Sequence, residues 1–543
     1  MTVRWWGWGE EGVAVDLPTA AADMLRSELG VTPEDARARV ELEEVRLPEP
    51  ALPEAVVERL AAALGEQHVR SDRWTRVIHA LGKSYPDLVR IRSGDGSSAP
   101  DAVVSPGSAA EVGEVIRLCS EGRVAVVPFG AGSSVVGGVE PVREGFEGAI
   151  SLDLRRLDRV LDVDRTSLTA TVEPGLLGPQ LEADLGREGL TLGHFPQSFE
   201  FSTVGGWVAT RSAGQASTGY GRIDDLVEGL RCVAPAGEVE ARPLPASAAG
   251  PSLRELLVGS EGVLGVISAA TLRVRPAPAV RRYEGWSFRS FAEGMEAFRA
   301  LEQADGSADV ARLSDEAETR LSLALASNDG GTARRVGQAY LKLRGHADGC
   351  LAIVGHEGDE ESVERRRLRT GALLRAGGGV SLGRRPGDAW ERGRYAAPYL
   401  RDELLDRGVL VETLETATTW SALGGLYEAV GDALREALAA RGTPPLVLCH
   451  VSHLYRSGAS LYFTFLARAE PGAELEQWRA AKDAACEAIV TNGGTITHHH
   501  AVGRDHAPWM TAEVGELGVE LLRAAKERLD PVGVMNPGKL LPG

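Results

Sequence analysis

Lysine is nearly absent from this chain of 543 residues: Lys83, Lys342, Lys482, Lys526 and Lys539 are all there are, and positive charge rests on arginine. With 59 Lys+Arg against 77 Asp+Glu the formal net charge is −18, which argues against a general nucleic-acid binder, whose affinity comes from neutralising phosphates. A local basic pocket for a phosphate or carboxylate is still compatible with that balance. Cysteine is also scarce. Cys119, Cys232, Cys350, Cys449 and Cys486 are scattered, odd in number and never paired as C-x-x-C, so neither a disulfide framework nor a zinc cluster is expected. They read as buried thiols of a reducing compartment. No apolar run approaches the roughly 18 residues that cross a bilayer. The N-terminal stretch carries Trp5, Trp6, Trp8 and early acids, not a basic-then-apolar targeting pattern. A cytoplasmic location is expected, with no nucleic acid among the partners.

What is present is an ordinary globular composition, 43% hydrophobic and 25% charged, in a chain long enough for about three or four compact units. Residues 1–95 begin with the aromatic patch and continue with helical patterns such as 53–60, where Pro53 suits a first turn. A turn cluster at 94–101 marks a boundary. Beyond it, short β-branched runs at 124–127, 168–172 and 265–267 alternate with helical stretches at 109–121 and 178–188. From 278 onward, strand-like alternation at 283–288 and 460–465 is separated by arginine-rich helices near 361–376 and 424–441. Loops are expected at 377–379 and at Arg384-Arg385-Pro386-Gly387. The tail, with Asp530-Pro531 and Asn536-Pro537-Gly538-Lys539, holds too much proline and glycine for a helix and reads as ordered turns. The fold class is α+β, in four parts: 1–95, 96–277, 278–505 and 506–543.

Three segments carry chemistry in the first β-rich part. In Pro128-Phe129-Gly130-Ala131-Gly132-Ser133-Ser134-Val135 a buried strand runs into glycines and hydroxyls, a loop whose successive N–H groups can cradle phosphate. It lacks the third glycine that opens a helix in the usual dinucleotide fingerprint, and a plain β-turn is the bland alternative. Pro196-Gln197-Ser198 and then Ser202-Thr203-Val204-Gly205-Gly206-Trp207 suit a backbone wrapping a flat heteroaromatic, or a glycine-rich strand corner. Glu261-Gly262, in a turn that feeds Val266-Ile267, offers a carboxylate for a ribose hydroxyl or for a helix cap.

In this order, and with the terminal Asn536-Pro537-Gly538-Lys539, these segments resemble the FAD-binding domain of the vanillyl-alcohol-oxidase type flavoproteins. The resemblance implies a two-subdomain FAD-binding domain at 96–277, an α/β substrate cap at 278–505, a helical N-terminal region at 1–95, and a segment returning to the FAD domain at 506–543. It implies FAD held by Pro128, Gly130, Ala131, Gly132, Ser133, Ser134 and Val135, then by Pro196, Ser198, Ser202, Thr203, Gly205 and Gly206, and by Glu261, Gly262, Val266 and Ile267. Members that attach flavin covalently often carry a histidine in the pyrophosphate loop; Ser133 and Ser134 stand there, so non-covalent FAD is expected.

The later part holds His498-His499-His500, between Gly493-Gly494 and Val502-Gly503. Histidine is the usual group for moving a proton near neutral pH, and the trio reads as a base or as hydrogen-bonded core side chains. If the chain is extended, His498 and His500 share a face. Zinc would want further converging ligands, and no metal is expected. Tyr462, in Gly458-Ala459-Ser460-Leu461-Tyr462-Phe463, is an acid/base candidate or an ordinary strand aromatic. With Arg312-Leu313-Ser314-Asp315 and the segment 412–416, this set resembles the alkyldihydroxyacetonephosphate synthase family from about residue 75 to the end.

That resemblance implies that Tyr462, His499 and His500 are active-site groups and Arg312 a substrate arginine. The implied reaction exchanges the acyl group of 1-acyl-dihydroxyacetone phosphate for a long-chain alcohol through a flavin N5 adduct, without net electron transfer. A lipid substrate, a peripheral membrane contact and a homodimer all fit such an enzyme. Two departures stand out: Ala422 lies near where the family has a further phosphate-binding arginine, and His450 and His453 lie where the animal enzymes have an arginine. The alternative is an FAD-dependent dehydrogenase or oxidase of a 2-hydroxy acid or alcohol, with a histidine taking the hydroxyl proton and an arginine holding the carboxylate.

Overall fold

The computed structural model describes residues 3–12, 17–306, 308–326 and 341–543. Its N-terminal part is helical, with helices Thr19–Leu29, Glu54–Leu64, Arg73–Ile78 and Tyr85–Arg92. Pro53 is the N-cap of the second, one residue ahead of the first turn. The last is opened by a capping box in which Ser84 and Asp87 exchange backbone and side-chain hydrogen bonds, with Pro86 in its first turn.

The first sheet contains β1 (Val69–Arg70), β2 (Ala102–Val104), β3 (Val124–Phe129) and β4 (Gly148–Asp153) in the order β1-β2-β4-β3. β2, β4 and β3 run parallel, and helix Ala109–Glu121, capped by Ser108, connects β2 to β3. Parallel strands are covered on both faces, which is why Val124-Ala125-Val126-Val127 is apolar without alternation. The chain's tail returns to the free edge of β3. Val126 N–H donates to Val534 O at 2.8 Å, and Asn536 N–H to Val126 O at 2.8 Å.

Next come β5 (Val160–Asp164), β6 (Thr169–Val172), β7 (Leu190–Thr191), β8 (Val227–Ala234), β9 (Gly237–Ala241), β10 (Val266–Arg273) and β11 (Arg275–Pro276). β7 pairs with β11, and the others form an antiparallel sheet in the order β5-β6-β10-β8-β9.

The third sheet is antiparallel and holds β12 (Val280–Phe288), β13 (Val310–Ser314), β14 (Cys350–Gly358), β15 (Val380–Gly383), β16 (Val409–Thr419), β17 (Leu446–Tyr455) and β18 (Gly458–Arg468), in the order β15-β12-β14-β13-β17-β18-β16. Side chains alternate along each strand. Leu313, Val451, Leu461, Phe463 and Phe465 pack into a core with helices Phe291–Gln303, Trp420–Ala440 and Glu474–Thr491. The intervening residues Arg312, Thr413, His450 and Tyr462 therefore emerge on the opposite face, where the cavity lies.

The loop expected at Arg384–Gly387 is instead the start of helix Arg384–Gly393. Pro386 sits in its first turn, where an N–H has no intrahelical partner to lose. All five cysteines are buried and unpaired. Among the described residues no helix is long and apolar enough to cross a membrane.

Candidate active site

β3 ends at Phe129 and the chain bends through 130–138 without entering a helix. Gly130 has no room for a side chain, because a Cβ there would run into Thr203 Oγ1, and Gly132 has φ +71°, where L side chains are strained. Thr203 caps helix Val204–Thr210, so the Ser202–Gly206 stretch is a helix start and not a strand corner. Glu261 neither caps a helix nor faces solvent. Its two carboxylate oxygens accept N–H from Val502 at 2.8 Å and Gly503 at 2.7 Å, and burial pushes its pKa up to about 7. Asn536 Nδ2 donates to Glu261 O at 2.6 Å and to Gly138 O at 3.2 Å, tying the tail to both loops. Every position expected to hold the cofactor lies on one cavity of about 480 Å³, and so do Arg312, Tyr462, His499 and His500.

The far wall of that cavity is set by strand register. Tyr462 on β18 pairs with His450 on β17 and with Glu415 on β16. The Tyr462 ring stacks on His450 at 4.8 Å and lies 6.0 Å from His499 and 5.5 Å from His500. A register shift between Val451 and His453 lets both Ser452 and His453 reach the cavity.

Glu415 organises the histidine trio. Its Oε1 accepts the N–H groups of His498 (3.1 Å), His499 (2.7 Å) and His500 (2.6 Å) and the hydroxyl of Thr497 (2.9 Å). His500 Nδ1 closes on Oε2. The backbone is thus curled around a carboxylate, as successive N–H groups do around an anion, and is not extended. His498 and His500 accordingly do not share a face. His499 and His500 line the cavity, while His498 bonds Tyr455 Oη through Nε2 (2.6 Å) and meets His499 Nδ1 at 2.9 Å.

Burial sets the charge states. It pushes His499 down to about 3 and holds His498 and His453 well below the usual imidazole range, so these rings are neutral. Burial pushes Tyr462 up to about 12, keeping its hydroxyl protonated. Burial alone would raise Glu415, but His500, His499 and the N–H donors hold it well below the usual carboxylate range. Two groupings, His453–His498–His499 and Glu415–His499–His500, bring ligand-type atoms within 4.8 Å of one another.

Arg312 Nη2 lies 2.7 Å from Glu318 Oε1 and 3.2 Å from His450 Nδ1. Ala422, near where the family resemblance implies a second arginine, sits in helix Trp420–Ala440. The cavity instead receives Arg401 from helix Ala397–Asp406, which donates to Glu412 at 3.0 Å and lies 3.4 Å from Thr413 Oγ1. Nothing local distinguishes Arg401 in so arginine-rich a chain. Trp8 also reaches the cavity, anchored by its backbone N–H to Asp402 Oδ2 at 2.8 Å. Beyond the histidines the lining turns apolar, with Leu321, Leu325, Leu404, Val411, Leu448 and Leu466.

Comparison with known proteins gives a consistent picture. Residues 100–241 match the family described as FAD binding domain, and 277–540 the one described as FAD linked oxidases, C-terminal domain. The chain is 34% identical to an alkyldihydroxyacetonephosphate synthase of Trypanosoma brucei brucei, covering 99% of this chain and 92% of that protein. It is 35% identical to one from Dictyostelium discoideum, covering 94% and 84%. A solved alkyldihydroxyacetonephosphate synthase superposes with a TM-score of 0.86 at 30% identity, over 99% of both chains.

Proposed function

As the chain belongs to the alkyldihydroxyacetonephosphate synthase family, we propose that it is an FAD-dependent enzyme that exchanges the acyl group of 1-acyl-dihydroxyacetone phosphate for a long-chain alcohol, forming an ether and releasing a fatty acid. The observation that carries this reading is the continuity of one cavity: glycine loops at one end, the Tyr462–histidine–Glu415 cluster in the middle, an apolar branch beyond. FAD fits the first end, because glycines, small hydroxylated residues and the start of helix Val204–Thr210 line the cavity there. Ser133 and Ser134 offer no imidazole for attachment, which supports non-covalent binding. We assign the cofactor to 96–277 with 506–543, and the substrates to 278–505.

Bound FAD would supply nucleophilic catalysis for the exchange of the acyl carboxylate. The protein's part is proton transfer and orientation. C1 beside the ketone must lose a proton, and the histidines held by Glu415, among them the neutral His499, can accept it. Tyr462, protonated at working pH, donates a hydrogen bond to oxygen at the same carbon. Arg312 and Arg401 supply planar guanidinium forks that can donate paired N–H groups to the oxygens of the phosphate.

The test is to give the purified holoprotein acyl-labelled 1-acyl-dihydroxyacetone phosphate and hexadecanol. Fatty acid release and ether formation without flavin bleaching are expected, with Tyr462→Phe retaining FAD and losing turnover. Anaerobic bleaching by a 2-hydroxy acid, with no ether formed, would overturn the reading in favour of a dehydrogenase. Full turnover in Tyr462→Phe would overturn only the tyrosine's assignment.

A further inference from the structure

Helix Glu316–Leu325 follows β13 directly and is capped by Asp315, whose Oδ1 accepts the N–H of Glu318 at 2.7 Å. Glu318, Leu321, Ser322 and Leu325 stand at i, i+3, i+4 and i+7, one face of the helix, and all four line the cavity. That face begins with a carboxylate and continues as an apolar track, joined on the cavity wall by Leu404, Leu448 and Leu466. It suits an amphiphile with a single polar end.

The polar end of the track is a carboxylate–imidazole pair. Glu318 Oε1 takes Arg312 Nη2 at 2.7 Å and faces His450 Nδ1 at 3.1 Å. Nδ1 also lies 3.2 Å from Arg312 Nη2, but that group is already given to Glu318 Oε1 at the shorter 2.7 Å; with the ring proton on Nδ1 it donates to the same carboxylate and Nε2 is the bare nitrogen. Nε2 has no hydrogen-bond partner among the described residues, and its ring lines the cavity against Tyr462. Burial and Arg312 hold His450 below the ordinary imidazole range, and Arg312 and His450 hold Glu318 down to about 2 against its burial, so the resting pair is neutral ring beside anion. Such a pair, with its far nitrogen open to a cavity, is the arrangement of a general base.

We propose that His450 is the base for the long-chain alcohol, that Glu318 is its positioning residue, and that the alkyl chain lies along Leu321 and Leu325. This deepens the synthase reading and rests on it. The alcohol's O–H bond breaks, and its proton goes to His450 Nε2. The oxygen's electron pair forms the bond to C1 of the dihydroxyacetone unit, and C1 gives up its bond to the leaving group, which departs with that pair; bound FAD would supply that leaving group. The imidazolium so formed is stabilised by the Glu318 carboxylate. Two proton acceptors on different parts of the wall thereby serve the two halves of the exchange: the Glu415-held histidines for C1, and His450 for the alcohol.

Single-turnover experiments on the holoenzyme separate these halves. His450→Gln is expected to release fatty acid from the acyl substrate while ether formation falls about 10²–10⁴-fold. Imidazole added to His450→Gly should restore ether formation. Glu318→Gln should lower kcat in the alcohol half, and Glu318→Asp should recover part of it. A readout independent of turnover is equilibrium binding of hexadecanol without acyl substrate, which Leu325→Trp should abolish and His450→Gln should preserve. Equal loss of both halves in His450→Gln with no rescue of His450→Gly by imidazole, or unchanged ether formation in His450→Gln, would overturn the inference. A wild-type enzyme that releases no fatty acid would defeat the synthase reading instead.

Discussion

Glu415 shows how much one side chain can organise. Removing its charge in Glu415→Gln leaves an acceptor of nearly the same shape but loosens three backbone donors and the ring of His500 at once. The expected result is retained flavin absorbance with kcat lower by about 10²-fold, the cost of a small misplacement of reacting groups. A second residue-scale prediction concerns His194, which is buried with Nε2 2.8 Å from Ser212 Oγ, and which burial pushes down to about 3. The ring stays neutral in the fold but is protonated below about 6.5 in the unfolded chain. Its neutral form therefore costs nothing above that pH, and stability is lost as pH falls from 6.5 towards 3. Between pH 7 and 5 this amounts to about 2 kcal/mol. Melting temperatures measured at both pH values should fall further for wild type than for His194→Gln.

At the scale of elements, the glycine loop and the histidine stretch were legible because their chemistry is local. Gly130 shows why: its neighbour Thr203 leaves no space for a Cβ, so Gly130→Val should fold with an unchanged circular dichroism spectrum and purify without flavin colour. Period-two alternation in β18 separates Tyr462 from the core residues Leu461 and Phe463, while its candidate role came from the family resemblance. Glu415 and Arg401 were not legible. The role of Glu415 arises from pairing with Tyr462 across strands and from a loop more than eighty residues away, which spacing along the chain cannot express. Helix Arg384–Gly393 was missed because proline near glycine signals a turn in most settings, yet costs no hydrogen bond in a first helical turn.

At the scale of the whole molecule, the three sheets meet through a few buried polar ties. Arg504 bonds Glu140, which Arg90 and Ser98 also contact, while Lys539 Nζ reaches the Glu140 carbonyl. Asn536 completes the set by holding Gly138 and Glu261. Asn536→Leu would orphan two buried carbonyls at about 1–3 kcal/mol each. A lower melting temperature together with weaker FAD retention is expected, measured by thermal denaturation and by flavin release on dilution.

The seam between β3 and the tail has a consequence for biosynthesis. Asn536 and Gly138 are 398 residues apart, so at roughly 5–20 residues per second the ribosome needs about 20–80 s to deliver the strand that covers that edge. Until then the nascent nucleotide sheet carries an open, aggregation-prone border. Pigment uptake should therefore be a late event, following translation instead of accompanying it.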